Sequence, residues 1–554
     1  MRSTMMDVPL TVTRIMQHGT TVYGGREVVT ATEDGIRRRS YAEVGRRAAQ
    51  LASALRRLGV DGDQRVATLM WNNAEHLEAY LAVPSMGAVL HTLNLRLDPG
   101  QLSYIAGHAE DFVIIVDGTL VPLLAKVLPD ITTVRHILVT PVSSGTAAPD
   151  TDALAGEGRS VHDYEQLLAA EPGTFDWPEV DERSAAAMCY TSGTTGNPKG
   201  VAYSHRSTFL HSMGACMGST FGLSERDRVL PVVPMFHAMA WGLAYAALMS
   251  GADLVMPDRF LQAAPLVRLI EAERPTVAGA VPTIWSDVLR HVRAEGGDLS
   301  SLRVVPCGGS AVPHALQEAY ESELGVRILH AWGMTETSPL ASVAHAPAGV
   351  EGEKAWHYRD SQGRVSIGVE ARLAGDDGAL LPHDGIAVGE IEVRGPWVTG
   401  SYYKDNDPAK FRDGWLRTGD VGTLDPEGFI RLTDRAKDVI KSGGEWISSM
   451  ELENLLMAHP DVAEAAVIGV ADERWGERPL AAIVLRQGGT ATAAELREFL
   501  SSRVPRWQLP ERWAFISEVP KTSVGKFAKT ILRKQHADGE FEVVTLEREP
   551  PKQG

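Results

Sequence analysis

Residues 190–200, Tyr-Thr-Ser-Gly-Thr-Thr-Gly-Asn-Pro-Lys-Gly, can form neither a regular helix nor a regular strand. Three glycines let backbone N–H groups come close to a ligand, and four Ser/Thr hydroxyls add further donors. Pro198 stiffens the turn and Lys199 supplies a positive charge. The segment is built to hold a polyphosphate. It is not a Walker A loop, because no Gly-x-x-x-x-Gly-Lys-Ser/Thr register lies over it. Such composition also makes flexible linkers. Here the apolar runs 185–189 and 201–203 flank it, so it reads as a loop between two strands.

The chain has 554 residues, more than one hydrophobic core holds, so several structural units are expected. Its net charge of −17 argues against a nucleic acid or an anionic membrane as partner. An anionic substrate must therefore be received by local cations. The three cysteines, Cys189, Cys216 and Cys307, have no spacing suited to zinc or to a disulfide framework, which fits a reducing cytoplasm. The N-terminus leads into no apolar secretory region, and the most apolar stretch, 240–252, is too short to span a bilayer. No integral membrane segment is expected.

Helical and strand patterns alternate through most of the chain, which predicts an α/β architecture. Residues 41–58 carry apolar side chains at helical spacing with arginines on the other face, and Gly59 stops the helix. Residues 65–70 and 112–116 read as buried strands, and 143–159 as a surface loop. After Gly363 short alternating strands appear at 371–373 and 389–393 between turn signals. A boundary is expected at 434–438. Beyond it, helices at 450–457 and 493–500 and strands at 463–470 and 480–485 make a compact α+β module.

Five other segments carry chemistry, each ambiguous by itself. His237 follows a buried-looking strand at 229–233, where a lone histidine is ordinarily structural. Residues 331–337, Ala-Trp-Gly-Met-Thr-Glu-Thr, set one carboxylate among hydroxyls after a strand at 327–329. That suits Mg²⁺ shared with phosphates, and equally a helix N-cap. Asp420 ends the run 414–420 in a glycine turn; it can take ribose hydroxyls or simply shape the turn. Arg435, Lys437 and Lys441 give the boundary a basic edge of the kind usually just solvated. Lys526 stands on a Gly/Ser turn near the C-terminus, where lysines are mostly exposed.

Taken together and in order, these segments resemble the adenylate-forming superfamily of acyl-CoA synthetases, peptide-synthetase adenylation domains and luciferases. The texture is similar to bacterial medium- and long-chain fatty acid–CoA ligases, through 235–237 with 240–243 and through 440–448. The resemblance implies a large multi-subdomain N-terminal adenylation domain, 1–436, and a small mobile α+β C-terminal domain, 437–554. It implies that a carboxylic acid attacks Mg·ATP to give an acyl adenylate and pyrophosphate, and that CoA then displaces AMP.

By that resemblance Thr191, Ser192, Gly193, Thr194, Thr195, Gly196 and Lys199 hold the β- and γ-phosphates. Glu336, with Thr191, binds Mg²⁺. Gly308, Gly309 and Ser310, with Ala331, Trp332 and Gly333, wall the adenine slot, and Thr335 belongs to the same nucleotide site. Asp420 takes the ribose with Arg435 nearby. Lys526 bridges the acid and the α-phosphate, and His237 joins it and Glu336 as catalytic. Lys437 is the hinge, and turning about it brings Ser442, Gly443 and Gly444 to the site for CoA. Trp241 matches the aromatic that gates the acyl tunnel, although a core tryptophan reads the same way.

Two departures bear on the acid. Relatives often place an asparagine two residues before the tryptophan, where this chain has Met239, and 363–368 lacks the prolines expected there. The expected activity is an ATP-dependent ligase for a medium- or long-chain acid. The same scaffold alternatively serves an aromatic or small acid, or nitrite as in diazotase-like relatives. A homodimer is expected by analogy.

Overall fold

The computed structural model describes residues 1, 3–142, 149–156, 158–191, 197–375, 377–405, 407–435, 438–442, 445–521 and 527–547. Among them four sheets form. The first has seven strands in the order Ser160–Asp163, His136–Thr140, Asp111–Asp117, Arg65–Leu69, Val89–Thr92, Ala185–Tyr190, Gly200–Ser204. All its pairings are parallel except the last, the hairpin that carries the 190–200 loop. Parallel strands are covered on both faces and so read as unbroken apolar runs. Asp111–Asp117 (DFVIIVD) is buried at every position but Phe112.

The second sheet, of five strands, runs Val277–Gly279, Arg228–Pro231, Asp253–Met256, Glu27–Thr32, Gly35–Ser40. Parallel bridges Val277 to Val304 and Ala280 to Cys307 lead on to the third. That sheet has nine strands, parallel between Val305–Gly308 and Ile328–Gly333 and antiparallel beyond. The change in texture after Gly363 is this change from parallel to antiparallel pairing. A separate six-stranded sheet, from Ile440–Ser442 to Val544–Thr545, packs helices Ser449–Met457 and Ala493–Ser501 on its own apolar core.

The helix at 41–58 is Tyr41–Arg57, capped by Ser40, whose side chain accepts from Glu43 N. Its arginines do not all face water. Arg47 is buried and donates to Glu78 at 2.6 Å and to Glu165 at 2.6 and 2.9 Å. Helical spacing cannot reveal that acids on neighbouring helices meet this arginine. The apolar stretch at 240–252 contains the short helix Leu243–Ser250, buried over its first six residues. No described helix is long and apolar enough to cross a membrane. All three cysteines are free.

Candidate active site

Strands Ala185–Tyr190 and Gly200–Ser204 bring the ends of the loop together. Thr191 N donates to Lys199 O at 2.9 Å, and Lys199 N donates to Thr191 Oγ1 at 3.1 Å. Ser192, Gly193, Thr194, Thr195 and Gly196 lie outside the described residues. Gly200 packs tightly: a Cβ there would sit 3.0 Å from the Tyr190 ring. The Lys199 ammonium reaches Asp407 at 2.6 Å and Asp405 at 3.2 Å, and lies 4.9 Å from the Tyr402 ring centre. Burial opposes its charge, but the bonds to Asp407 and Asp405 outweigh burial and hold it above the ordinary lysine value.

Glu336 sits in the 3₁₀ turn Thr335–Thr337, just past strand Ile328–Gly333. Its Oε1 accepts from Tyr402 OH at 2.7 Å, and its carbonyl accepts from Thr399 N at 2.8 Å. Tyr203, on the strand after the loop, donates to Thr335 O at 2.7 Å. The turn is thus tied to both the loop hairpin and the 399–402 segment. Gly333 permits this, since a Cβ there would lie 1.8 Å from Pro339 O.

Asp420 is not in a glycine turn. It lies within the ten-residue strand Trp415–Leu424, opposite Arg435. Gly419, at φ 75°, sits where the pairing with Gly389–Arg394 shifts register. A bulge in one strand puts the same glycine and aspartate letters on the chain as a turn does. The bulge points Asp420 at its partners: Trp332 Nε1 donates to it at 2.9 Å and Arg435 Nε at 3.1 Å.

One cavity of about 740 Å³ collects most of these groups, Asp420 excepted. Thr191, Lys199, Thr335, Glu336 and Arg435 line it, and Gly309, Ala331, Trp332 and Gly333 form one wall. His237, Ala238 and Trp241 form another. Trp241 is 7% exposed and belongs both to this wall and to the apolar core. Residues Ala238, Met239, Ala240 and Trp241 all have left-handed φ, from 36° to 57°. Each such residue with a Cβ costs roughly 1–2 kcal/mol, so the surrounding packing must impose the turn. Met239 occupies a backbone conformation that asparagine tolerates far better.

A second cavity of about 750 Å³ shares the wall of Gly309, Ala331, Trp332 and Gly333 and adds Ser310 and Asp420. Its far side belongs to the C-terminal sheet's segments, including Lys521, Phe527 and Lys529. There Lys529 bonds Glu453 at 2.7 Å, Ser449 N donates to Asp434 at 2.7 Å, and Arg533 pairs with Asp438 at 2.8 Å. Lys526, Lys437, Gly443 and Gly444 lie outside the described residues. Ser442 is buried on the small sheet, where its Oγ accepts from Arg478 at 3.0 Å, and it lines neither cavity.

The sequence reading missed Tyr402, Asp405, Asp407 and Lys410. Lys410 lines the first cavity, and burial lowers its pKa against the pull of Glu336 and Asp420. The signal was present: 402–410 concentrates tyrosines and paired charges in a stretch without helical or strand period.

A cavity of about 740 Å³, with Thr191 and Lys199 at one end and Trp241 at an apolar wall, has room for a nucleotide beside an apolar acid. The chain belongs to the AMP-binding enzyme family: that family's model matches residues 17–403, and the model of the AMP-binding enzyme C-terminal domain matches 451–526. It is an AMP-forming acid–thiol ligase. It is 44% identical to the 3-methylmercaptopropionyl-CoA ligase of Ruegeria pomeroyi, covering 96% of this chain and 98% of that one. It is 41% identical to the medium-chain-fatty-acid–CoA ligase of Ectopseudomonas oleovorans, covering 96% and 97%. Its fold is similar to that of an anthranilate CoA ligase in complex with anthranoyl-AMP, with TM-score 0.85, 26% identity and coverage of 96% and 99%.

Proposed function

We propose that the protein activates a medium- or long-chain carboxylic acid with ATP, holds the acyl adenylate, and transfers the acyl group to CoA. The observation that carries this reading is the single cavity joining Lys199, Glu336 and Arg435 to the apolar wall of Trp241. An acid seated along that wall has its carboxylate directed toward the phosphates. Attack of one anion on another is opposed by charge, so fixed cations and N–H donors must supply much of the rate. Lys199 exchanges Asp405 and Asp407 for phosphate oxygens. Asp420, aligned by Trp332 and Arg435, takes the ribose.

Glu336 fits Mg²⁺ as a single carboxylate beside the phosphates, and the ion lowers the charge on them when bound. Among the described residues no three acidic, histidine or cysteine side chains gather to cage an ion unaided. This suits an ion that arrives with the nucleotide. The reading includes Lys526 as the adenylation lysine and rotation of 437–554 about Lys437, bringing the 442–444 face to the site.

The buried Trp241 favours a second reading, a short thioether acid such as the one named for the Ruegeria relative, because the indole closes the apolar end. Acid-dependent pyrophosphate release across a chain-length series tests both. A maximum at eight carbons or more supports the first reading, and one at three to five carbons the second (roughly, as apolar burial scales with chain length). No acid-dependent release at any length overturns both.

A further inference from the structure

Beyond the lysine and the glycine-rich turn, the phosphate end of the first cavity has one more wall. Helix Pro99–Ala109 presents Tyr104 and His108 there, alongside Thr191, Asn197 and Lys199. The two rings stack with centroids 5.4 Å apart and planes 21° apart, and Tyr403 meets His108 edge-on at 5.7 Å. His108 Nδ1 lies 2.7 Å from the hydroxyl of Tyr190, the residue that leads directly into the loop. Tyr104, Tyr403 and His108 belong to none of the sequence motifs, whereas Tyr190 opens the 190–200 segment.

This contact couples the phenol to the tautomer of the ring. Burial, reinforced by the nearby Asp111 carboxylate, keeps the Tyr190 phenol protonated. Its hydroxyl has no hydrogen-bond partner among the described residues other than His108; in this one bond the phenol donates when the ring proton is on Nε2 and accepts when it is on Nδ1. Burial, and next the Lys404 ammonium, hold the imidazole below its ordinary pKa and therefore neutral near pH 7. With the phenol donating to Nδ1, its one ring proton is on Nε2. Nε2 has no partner among the described residues, and His108 is half-buried on the cavity wall. The nearby charges are already paired: Lys404 with Glu110 at 2.6 Å, and Asp405 and Asp407 with Lys199. Below the Tyr190 ring, buried His91 bonds Asp111 at 2.8 Å, and its ring centre lies 5.1 Å from that of Tyr190, fixing the tyrosine's position.

We propose that His108 is a phosphate-binding residue, its Nε2–H donating to the terminal phosphates of the nucleotide and then to pyrophosphate, with Tyr190 as the positioning residue that sets its tautomer. This rests on the adenylation reading above. It makes the far end of the phosphate site a stacked, neutral donor in place of another lysine, which allows pyrophosphate to be held without being trapped.

Equilibrium binding of magnesium pyrophosphate and of AMP to wild type, His108→Ala, His108→Gln and Tyr190→Phe tests it. His108→Ala is expected to weaken pyrophosphate about tenfold and leave AMP unchanged. His108→Gln, whose amide nitrogen falls near the position of Nε2, is expected to recover most of the affinity, and Tyr190→Phe to fall between. Unchanged pyrophosphate affinity in His108→Ala overturns the proposal, as does equal weakening of pyrophosphate and AMP, or a glutamine variant no better than alanine. If wild type forms pyrophosphate from ATP and acid while His108→Ala binds it normally, this inference fails and the adenylation reading stands. If wild type binds pyrophosphate through His108 but activates no acid, the reverse holds.

Discussion

The two ends of the cavity are built in different ways. At the nucleotide end the polar groups are held by side-chain bonds from distant strands: Trp332 and Arg435 on Asp420, Tyr402 on Glu336, Asp405 and Asp407 on Lys199. At the acid end the side-chain bonds among the described residues, such as Asn72 Oδ1 accepting from Met235 N at 2.8 Å, hold the segment before Trp241 rather than a charged group. A left-handed turn at Ala238–Trp241, packed into the main core, sets the wall. Groups preset by hydrogen bonds suit a constant partner, since preorganised dipoles lose little on reaction. A wall set by packing and backbone strain can change its shape with a few substitutions. On the proposed reading, one end serves the reaction common to the family and the other the particular acid.

Substitutions should separate the two ends. The largest effect is expected from Glu336→Gln: acid-dependent pyrophosphate release at saturating ATP should fall by roughly 100-fold or more, as when one charge-stabilising group is lost. A loss of less than threefold would break the assignment. Asp420→Asn should raise the KM for ATP by about tenfold, because Trp332 and Arg435 lose a charged acceptor, while the KM for the acid stays put. Equal movement of both constants would mean that the two ends are one coupled site.

Trp241→Ala should do the opposite, shifting kcat/KM toward longer acids by roughly tenfold with the ATP constant unmoved, since one large apolar side chain is worth a few kcal/mol of discrimination. Trp241→Phe serves as the folding control. Ala240→Gly should have the smallest effect. Release of left-handed strain offsets the entropy gained by the unfolded chain, so stability should change by less than about 0.5 kcal/mol, against a loss of up to ~1 kcal/mol for this exchange at ordinary positions. A larger loss in a urea titration would contradict the left-handed turn.

The same contrast explains what the sequence made legible. The two strands at 185–204 could be read because apolar runs flank the glycines and hydroxyls. The parallel strand around 112–116 was legible for a similar reason. The sequence puts Asp420 in a glycine turn where the fold has a bulged strand, because a bulge and a turn draw on the same residues. Arg47 was taken for a surface arginine, since its partners Glu78 and Glu165 lie far along the chain. His108 carries no motif at all; only the fold brings helix Pro99–Ala109 against Tyr190, the residue that opens the 190–200 segment. Met239 was noted as a departure before its backbone conformation gave that departure a physical meaning.

The most direct test of the central claim is a single-turnover experiment with purified protein, ATP, magnesium and the best acid, quenched before and after CoA is added. The account predicts one equivalent of acyl adenylate and pyrophosphate without CoA, then conversion of that adenylate to acyl-CoA and AMP. ATP consumed at the same rate without acid, or an adenylate that CoA leaves untouched, would contradict it.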